Sequence, residues 1–154
     1  MAKMRVICNT SPIIGLLNKK FGEIIMQVKD TLKIKDFPVV VRTDCKNIRR
    51  IYPLKQRTVA RIYEVAMNHK VIRKIYIFGS SVTGRCNIDS DLDICIDADT
   101  SDGMKIYHMQ KEVGEICDWN CDIVMYSNIG ERLKKTIQEE GVVIYEQSTC
   151  QSTG

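Results

Sequence analysis

The amino-acid sequence predicts an α/β (α+β) fold in which helices flank a small sheet. Two observations carry this prediction. From about residue 55 onward, segments whose apolar residues recur with helical spacing alternate with short segments rich in Ile, Val and Tyr, and the connections between them are short. Hydrophobic residues make up 44% of the 154-residue chain, an ordinary fraction for a globular protein and enough to build a core.

Three helices are predicted in this part of the chain because apolar residues recur there on one face. In the first of them, Val59, Ile62 and Ala66 share that face. Gly141 follows the last helix and is predicted to end it, since glycine is frequent just beyond a helix. The predicted helices cover residues 55–70, 104–117 and 129–140.

Four strands are predicted between and after these helices from their β-branched and aromatic residues. The second one alternates apolar residues at even positions with mostly acidic residues at odd positions from Asp91 to Asp97, which predicts one apolar and one acidic face. We interpret Asp97, at the end of that strand, as a solvated carboxylate. The predicted strands cover residues 71–78, 92–96, 121–126 and 142–145, with a turn-rich stretch at 80–90.

The chain before residue 55 is predicted to be an N-terminal extension, residues 1–54, packed on a domain of residues 55–146, with a flexible polar tail at 147–154. Apolar residues between Ile14 and Val28 have helical spacing, whereas Val39 to Val41 resemble a piece of a strand. Three roles remain open for this extension: covering a sheet edge, binding a partner or mediating dimerisation.

Composition excludes several classes of protein. The net charge of +4 is too small to indicate a nucleic acid as the main partner, and no apolar stretch approaches the roughly 18 residues of a membrane span. Seven cysteines without C-x-x-C spacing favour free thiols and a cytoplasmic location. Cys117 and Cys121, with His108 upstream, do not complete a zinc ligand set and are interpreted as small core residues.

The stretch from residue 76 to residue 97 carries the chemistry. Asp91 and Asp93 are two apart on a predicted strand, so their carboxylates point the same way, roughly 7 Å apart, and such a pair suits Mg²⁺. Gly79 and Ser80 follow a predicted strand, where backbone N–H groups and the hydroxyl can hold a phosphate. Either motif alone is uninformative. Together, with strands on both sides, they favour phosphoryl or nucleotidyl transfer.

The run F-G-S-S-V-T-G-R-C-N-I-D-S-D-L-D-I resembles the signature of minimal nucleotidyltransferases of the DNA polymerase β superfamily. That pattern has Gly-Ser, a Gly four residues after the Ser, and then Ser-Asp-x-Asp followed by apolar residues. The family's third carboxylate on a later strand corresponds to Asp122 in N-C-D-I-V-M-Y. The resemblance covers about residues 55–146 and implies a nucleotidyltransferase fold, a small mixed sheet with flanking helices and the site at one sheet edge. The matching positions are Gly79, Ser80, Gly84, Ser90, Asp91 and Asp93.

The resemblance also implies roles for these residues. Gly79 and Ser80, together with Ser90, bind the nucleotide, and two Mg²⁺ ions are held by Asp91, Asp93 and Asp122. As catalytic residues, these three aspartates serve an in-line displacement at the α-phosphate, in which Asp122 also draws the proton from the attacking hydroxyl. Many minimal members carry Arg soon after Gly-Ser. This chain has Ser-Val-Thr there, and Arg85 is the nearest guanidinium, serving either phosphates or the surface.

The implied activity is a Mg-dependent transfer of a nucleoside monophosphate, AMP from ATP as first choice, to an acceptor hydroxyl. Minimal members of the family are often encoded beside a HEPN-type toxin, which they neutralise by adding AMP to a Tyr. The resemblance therefore implies a Tyr of such a partner as the acceptor and an antitoxin role for this chain. Two alternatives stay open. One is a small-molecule nucleotidyltransferase of the aminoglycoside type, although those usually bring an additional helical domain. The other is a non-catalytic, partner-binding antitoxin module. The three carboxylates argue against it, because a protein that only binds a partner has no need to hold three like charges together.

Overall fold

The computed structural model describes residues 36–149. Contacts divide the chain into a unit of residues 1–35 and a unit of residues 36–154, and the described residues all belong to the second. The helical spacing predicted between Ile14 and Val28 lies outside the described residues. Within residues 36–149, none of the helices is long and apolar enough to cross a membrane.

The described residues form an alternating series of helices and strands, so the predicted α/β fold with a small mixed sheet is confirmed. Most element bounds agree with the prediction to within two residues, and the turn-rich stretch after residue 79 also contains one helical turn. A 3-10 turn, Ile48–Arg50, precedes the series. The elements are α1 (Pro53–Asn68), β1 (Ile72–Phe78), α2 (Ser80–Thr83), β2 (Leu92–Ala98), α3 (Gly103–Ile116), β3 (Cys121–Met125), α4 (Glu131–Glu140) and β4 (Val142–Glu146).

The four strands lie in the order β3-β2-β1-β4. Strand β1 runs antiparallel to β2 and β4, whereas β2 and β3 are parallel and are joined by a crossover through α3. Because of these directions, β1 ends where β2, β3 and β4 begin. We call this side of the sheet the motif end, since Gly79 follows the last residue of β1.

One face of the sheet is covered by α1 and α3, and the core lies between these two helices and the sheet. Alternate residues of each strand point into it, as expected for period-2 side-chain geometry. On α1 the predicted apolar face is buried, with Val59, Ile62 and Ala66 fully inaccessible to solvent. Further fully buried core residues are Ile72, Ile75, Ile77, Ile94, Ile96, Met109, Val113 and Ile144.

Residues 36–54, which the sequence groups with the N-terminal extension, contribute to the same core through Cys45, Ile48 and Ile51. The strand suggested for Val39 to Val41 is wrong: these residues have no regular structure. The reason is the buried side chain of Gln56, which accepts a hydrogen bond from Val40 N (2.8 Å) and donates to the carbonyls of Pro38 (2.8 Å) and Ile51 (3.0 Å). These contacts replace the backbone partners that a strand neighbour would supply.

Candidate active site

The turn after β1 depends on Gly79. Its backbone angles, φ 71° and ψ −146°, lie in a region that essentially only glycine adopts. A Cβ at this position would overlap Oδ2 of Asp93. The absence of a side chain therefore lets the turn pass directly against the Asp93 carboxylate. Ser80 follows at the start of α2 and is half-buried, so both predicted phosphate-binding residues lie at the motif end of the sheet.

Two of the three predicted acidic residues lie side by side at the motif end, and the third, Asp91, is near enough for its charge to act on Asp93. Asp93 on β2 lies directly opposite Asp122 on the parallel strand β3, so their side chains point to the same face. Partial burial of Asp93 raises its pKa, and the nearby charges of Asp122 and Asp91 raise it further. Asp91 and Asp122 are exposed to solvent. The site is thus an open group of like charges that a cation would relieve.

The donor set fits a metal that also takes ligands from a substrate. Among the described residues, no three His, Cys, Asp or Glu side chains are gathered closely enough to hold a metal ion by themselves. Mg²⁺ commonly binds one or two carboxylates and completes its shell with waters and phosphate oxygens. The exposed positions of Asp91 and Asp122 beside the half-buried Asp93 leave space for such oxygens.

The loop before β2 is held by contacts that the sequence did not reveal. The Ser90 hydroxyl donates to Asn87 Oδ1 (3.1 Å) and accepts from Asn87 N (2.9 Å), and Asp89 N also donates to Asn87 Oδ1 (2.9 Å). From the other side, Lys55 Nζ donates to the Ser90 carbonyl (2.5 Å). Asn87 precedes the Ser-Asp-x-Asp motif by three residues, whereas Lys55 and Ser90 are 35 positions apart, so no local sequence signal indicates their contact.

Two further residues singled out in the sequence lie apart from this group. Arg85 is exposed on the loop after Gly84 and makes no ion pair with any residue of 36–149. Asp97 lies near the opposite end of β2, where it pairs in register with Lys74 of β1. Asp97 is half-buried and remains outside the candidate site.

An open groove runs beside β3 on the sheet face that α3 covers, which is opposite the face that carries Asp93 and Asp122. Cys121 and Ile123, the two neighbours of Asp122 in the chain, line it together with residues of α3 and of the turn that follows α3. Tyr107 is 55% exposed and Trp119 is 66% exposed, an unusual setting for large aromatic side chains. The groove is lined by Tyr107, Gln110, Lys111, Trp119, Cys121 and Ile123.

Comparison with known families decides the assignment of the fold. The family model described as polymerase beta, nucleotidyltransferase, matches residues 60–149. The chain belongs to this nucleotidyltransferase family. The matched region contains the Gly79 turn and all three aspartates of the site. No curated protein sequence matches the chain at a significant level.

Several solved structures are similar to this chain. A mutant of the toxin–antitoxin pair MntA–HpeT is 20% identical, with 58% of this chain and 74% of that chain covered and a TM-score of 0.49. A tri-AMPylated HEPN toxin of Shewanella oneidensis in complex with MNT antitoxin gives 21% identity, coverage of 60% and 73%, and a TM-score of 0.47. A putative nucleotidyltransferase from Sulfolobus solfataricus is 20% identical, with 61% of this chain and 88% of that chain covered and a TM-score of 0.39.

Proposed function

We propose that this nucleotidyltransferase moves a nucleoside monophosphate from a nucleoside triphosphate, ATP as first choice, to a hydroxyl group of a partner protein. The observation that carries the proposal is the contact of the Gly79 turn with Asp93, directly opposite Asp122. A turn that suits phosphate binding and carboxylates that suit a divalent cation therefore lie side by side. Nucleotidyl transfer requires both in one place.

In this proposal the Gly79–Ser80 turn binds the triphosphate tail through its backbone N–H groups and the Ser80 hydroxyl. Because the hydroxyl of Ser90 is hydrogen-bonded to Asn87, we assign Ser90 to the shape of the loop beside the nucleotide. Many minimal members of the family carry an Arg soon after Gly-Ser, where this chain has Ser81, Val82 and Thr83. Arg85, which is exposed and makes no ion pair within residues 36–149, is the nearest guanidinium in the sequence, and we assign it to the phosphates.

Asp91, Asp93 and Asp122 are the residues that would hold two Mg²⁺ ions. When bound, these ions neutralise charge on the attacking and leaving oxygens of an in-line displacement at the α-phosphate, with pyrophosphate leaving. Asp122, exposed to solvent as Asp91 is, has the role that the family resemblance implies, which is to accept the proton from the incoming hydroxyl. Asp93, held against the Gly79 turn, keeps its carboxylate next to the phosphates.

The groove beside β3 supports a protein acceptor over a small molecule. Exposed aromatic side chains such as Tyr107 and Trp119 are enriched where proteins bind one another. Their groove lies along the edge strand β3, on the face opposite the Asp122 carboxylate, so an acceptor protein that spans this edge contacts both. The acceptor class that we propose is a Tyr hydroxyl on a HEPN-type toxin, as the sequence resemblance implies. In one of the solved structures reported above, the HEPN toxin is AMPylated and bound to an MNT antitoxin.

The test is transfer of label from α-labelled ATP to a HEPN-type protein encoded beside this one, in the presence of Mg²⁺. Asp93→Asn is expected to abolish labelling. Asp97→Asn is the matched control, because Asp97 lies four residues further along the same strand and outside the candidate site, and this variant is expected to retain labelling. Equal labelling by the two variants would remove Asp93 from the site. Binding of the partner without labelling under any condition would favour the non-catalytic module, and labelling of an aminoglycoside would favour the small-molecule enzyme.

A further inference from the structure

Lys55 connects the first turn of α1 to the loop that carries the acidic motif. Its Nζ donates a hydrogen bond to the Ser90 carbonyl (2.5 Å), and its side chain is half-buried. We propose that Lys55 is a positioning residue that holds the Ser90–Asp91 peptide so that Asp91 faces the same site as Asp93. The consequence for catalysis rests on the proposed function, whereas the consequence for the loop does not.

The base from which Lys55 acts is rigid. Helix α1 begins at Pro53, whose fixed φ suits the first helical turn, and Lys55 N donates to the Tyr52 carbonyl (2.9 Å). One and two turns further on, Val59 and Ile62 are fully buried in the core. The backbone from which the Lys55 side chain extends is therefore held in place by the core and does not depend on the loop.

A contact at the Ser90 carbonyl also constrains the next residue, Asp91. The oxygen of Ser90 and the N–H of Asp91 belong to one planar peptide group, so fixing the oxygen also fixes the direction in which the chain enters Asp91. On either side the main chain is held as well: Ser90 N donates to Asn87 O and Leu92 N donates to Asn120 O, both at 3.2 Å. Lys55 supplies the contact at the peptide between these two.

The charge of Lys55 also acts close to the start of β3. Burial raises the pKa of the Cys117 thiol to about 12, and the nearby Lys55 charge opposes part of that rise. Lys55 is thus near both the Ser90 carbonyl and the residues that lead into β3, which carries Asp122. Within residues 36–149 it forms no ion pair with a carboxylate, so its hydrogen bond to the main chain is the contact that the structure provides.

The first arm of the test is amide hydrogen exchange without nucleotide. In Lys55→Met, exchange at the amides of Ser90 and Leu92 is expected to become about tenfold faster, because a hydrogen bond from a charged donor is lost beside them. Lys55→Arg keeps a charged donor and is expected to restore most of the protection. Arg61→Met, an exposed residue of the same helix, is the matched control. Unchanged exchange in Lys55→Met would overturn the proposal.

The second arm is the kinetics of AMP transfer, expressed per folded molecule. Lys55→Met is expected to lower kcat by about 100-fold, the cost of a misplacement of roughly 1 Å, with KM for ATP changed far less. Equal kcat values for Lys55→Met and Arg61→Met would also overturn it. If the wild-type protein transfers nothing, the proposed function fails, and the exchange arm alone decides the role of Lys55. If Lys55→Met does not fold, Lys55→Gln takes its place in both arms.

Discussion

Replacing Gly79 by Ala tests the central feature of the site. The substitution places a Cβ where Oδ2 of Asp93 lies, and it does so at φ 71°, ψ −146°, which a residue with a Cβ rarely adopts. Backbone strain of this kind costs about 1–3 kcal/mol. To reach ordinary van der Waals contact with that Cβ, the Asp93 carboxylate must also retreat by more than about 1 Å, and a misplacement of about 1 Å already lowers a catalytic rate by about 100-fold.

Denaturant unfolding and AMP transfer measure these two effects separately. We expect Gly79→Ala to lower the free energy of unfolding by about 1–3 kcal/mol with an unchanged m-value, and to lower kcat by about 100-fold in the molecules that remain folded. Gly103→Ala is the control, because a Cβ there meets no atom within 4 Å. The reasoning is refuted if Gly79→Ala matches Gly103→Ala in both stability and rate.

Three further outcomes are expected. The pKa of Glu146 is lowered to about 2 by hydrogen bonds from Lys74 and Lys46, so its contribution to stability is present above pH 4.5 and is lost as the pH falls towards 2. The urea-unfolding free energies of wild type and Glu146→Gln should therefore differ at pH 6 and converge at low pH and in high salt. Burial raises the pKa of the Cys45 thiol to about 12, so stability should fall as the pH rises from 9 to 12, a trend that Cys45→Ala should reduce, and the native thiol should resist iodoacetamide at pH 8. Tyr107→Ser, an exposed position, should leave the thermal midpoint unchanged but lower labelling of a protein acceptor by about tenfold; unchanged labelling would remove the groove from acceptor binding.

Elements with strong local periodicity were predictable from the sequence. The burial of Val59, Ile62 and Ala66 follows from their spacing on α1, and the placement of Asp93 on the face opposite Ile94 follows from the two-residue period of a strand. The strand suggested at Val39 to Val41 was wrong because a distant side chain, Gln56, supplies the backbone hydrogen bonds there.

The approach of Asp122 to Asp93 was only partly predictable from the sequence. Its place on a later strand was implied by the family resemblance, since composition and periodicity alone carry no information about which strands pair. The direct opposition of the two residues depends on the parallel register of β2 and β3, which is set when α3 packs across the sheet between them. Only then does the charge of Asp122 act on the pKa of Asp93.

By itself, the sequence determined the alternation of helices and strands, the acidic face of β2 and the Gly-Ser turn, because each depends on residues a few positions apart. The tertiary structure alone decided which distant residues complete the site. Asp93 pressed against Gly79, Asn87 bonded to Ser90, and Lys55 holding the Ser90 carbonyl all result from packing. Contacts between residues far apart in the chain are selected by the shape of the whole core, and the local pattern around either partner does not specify them.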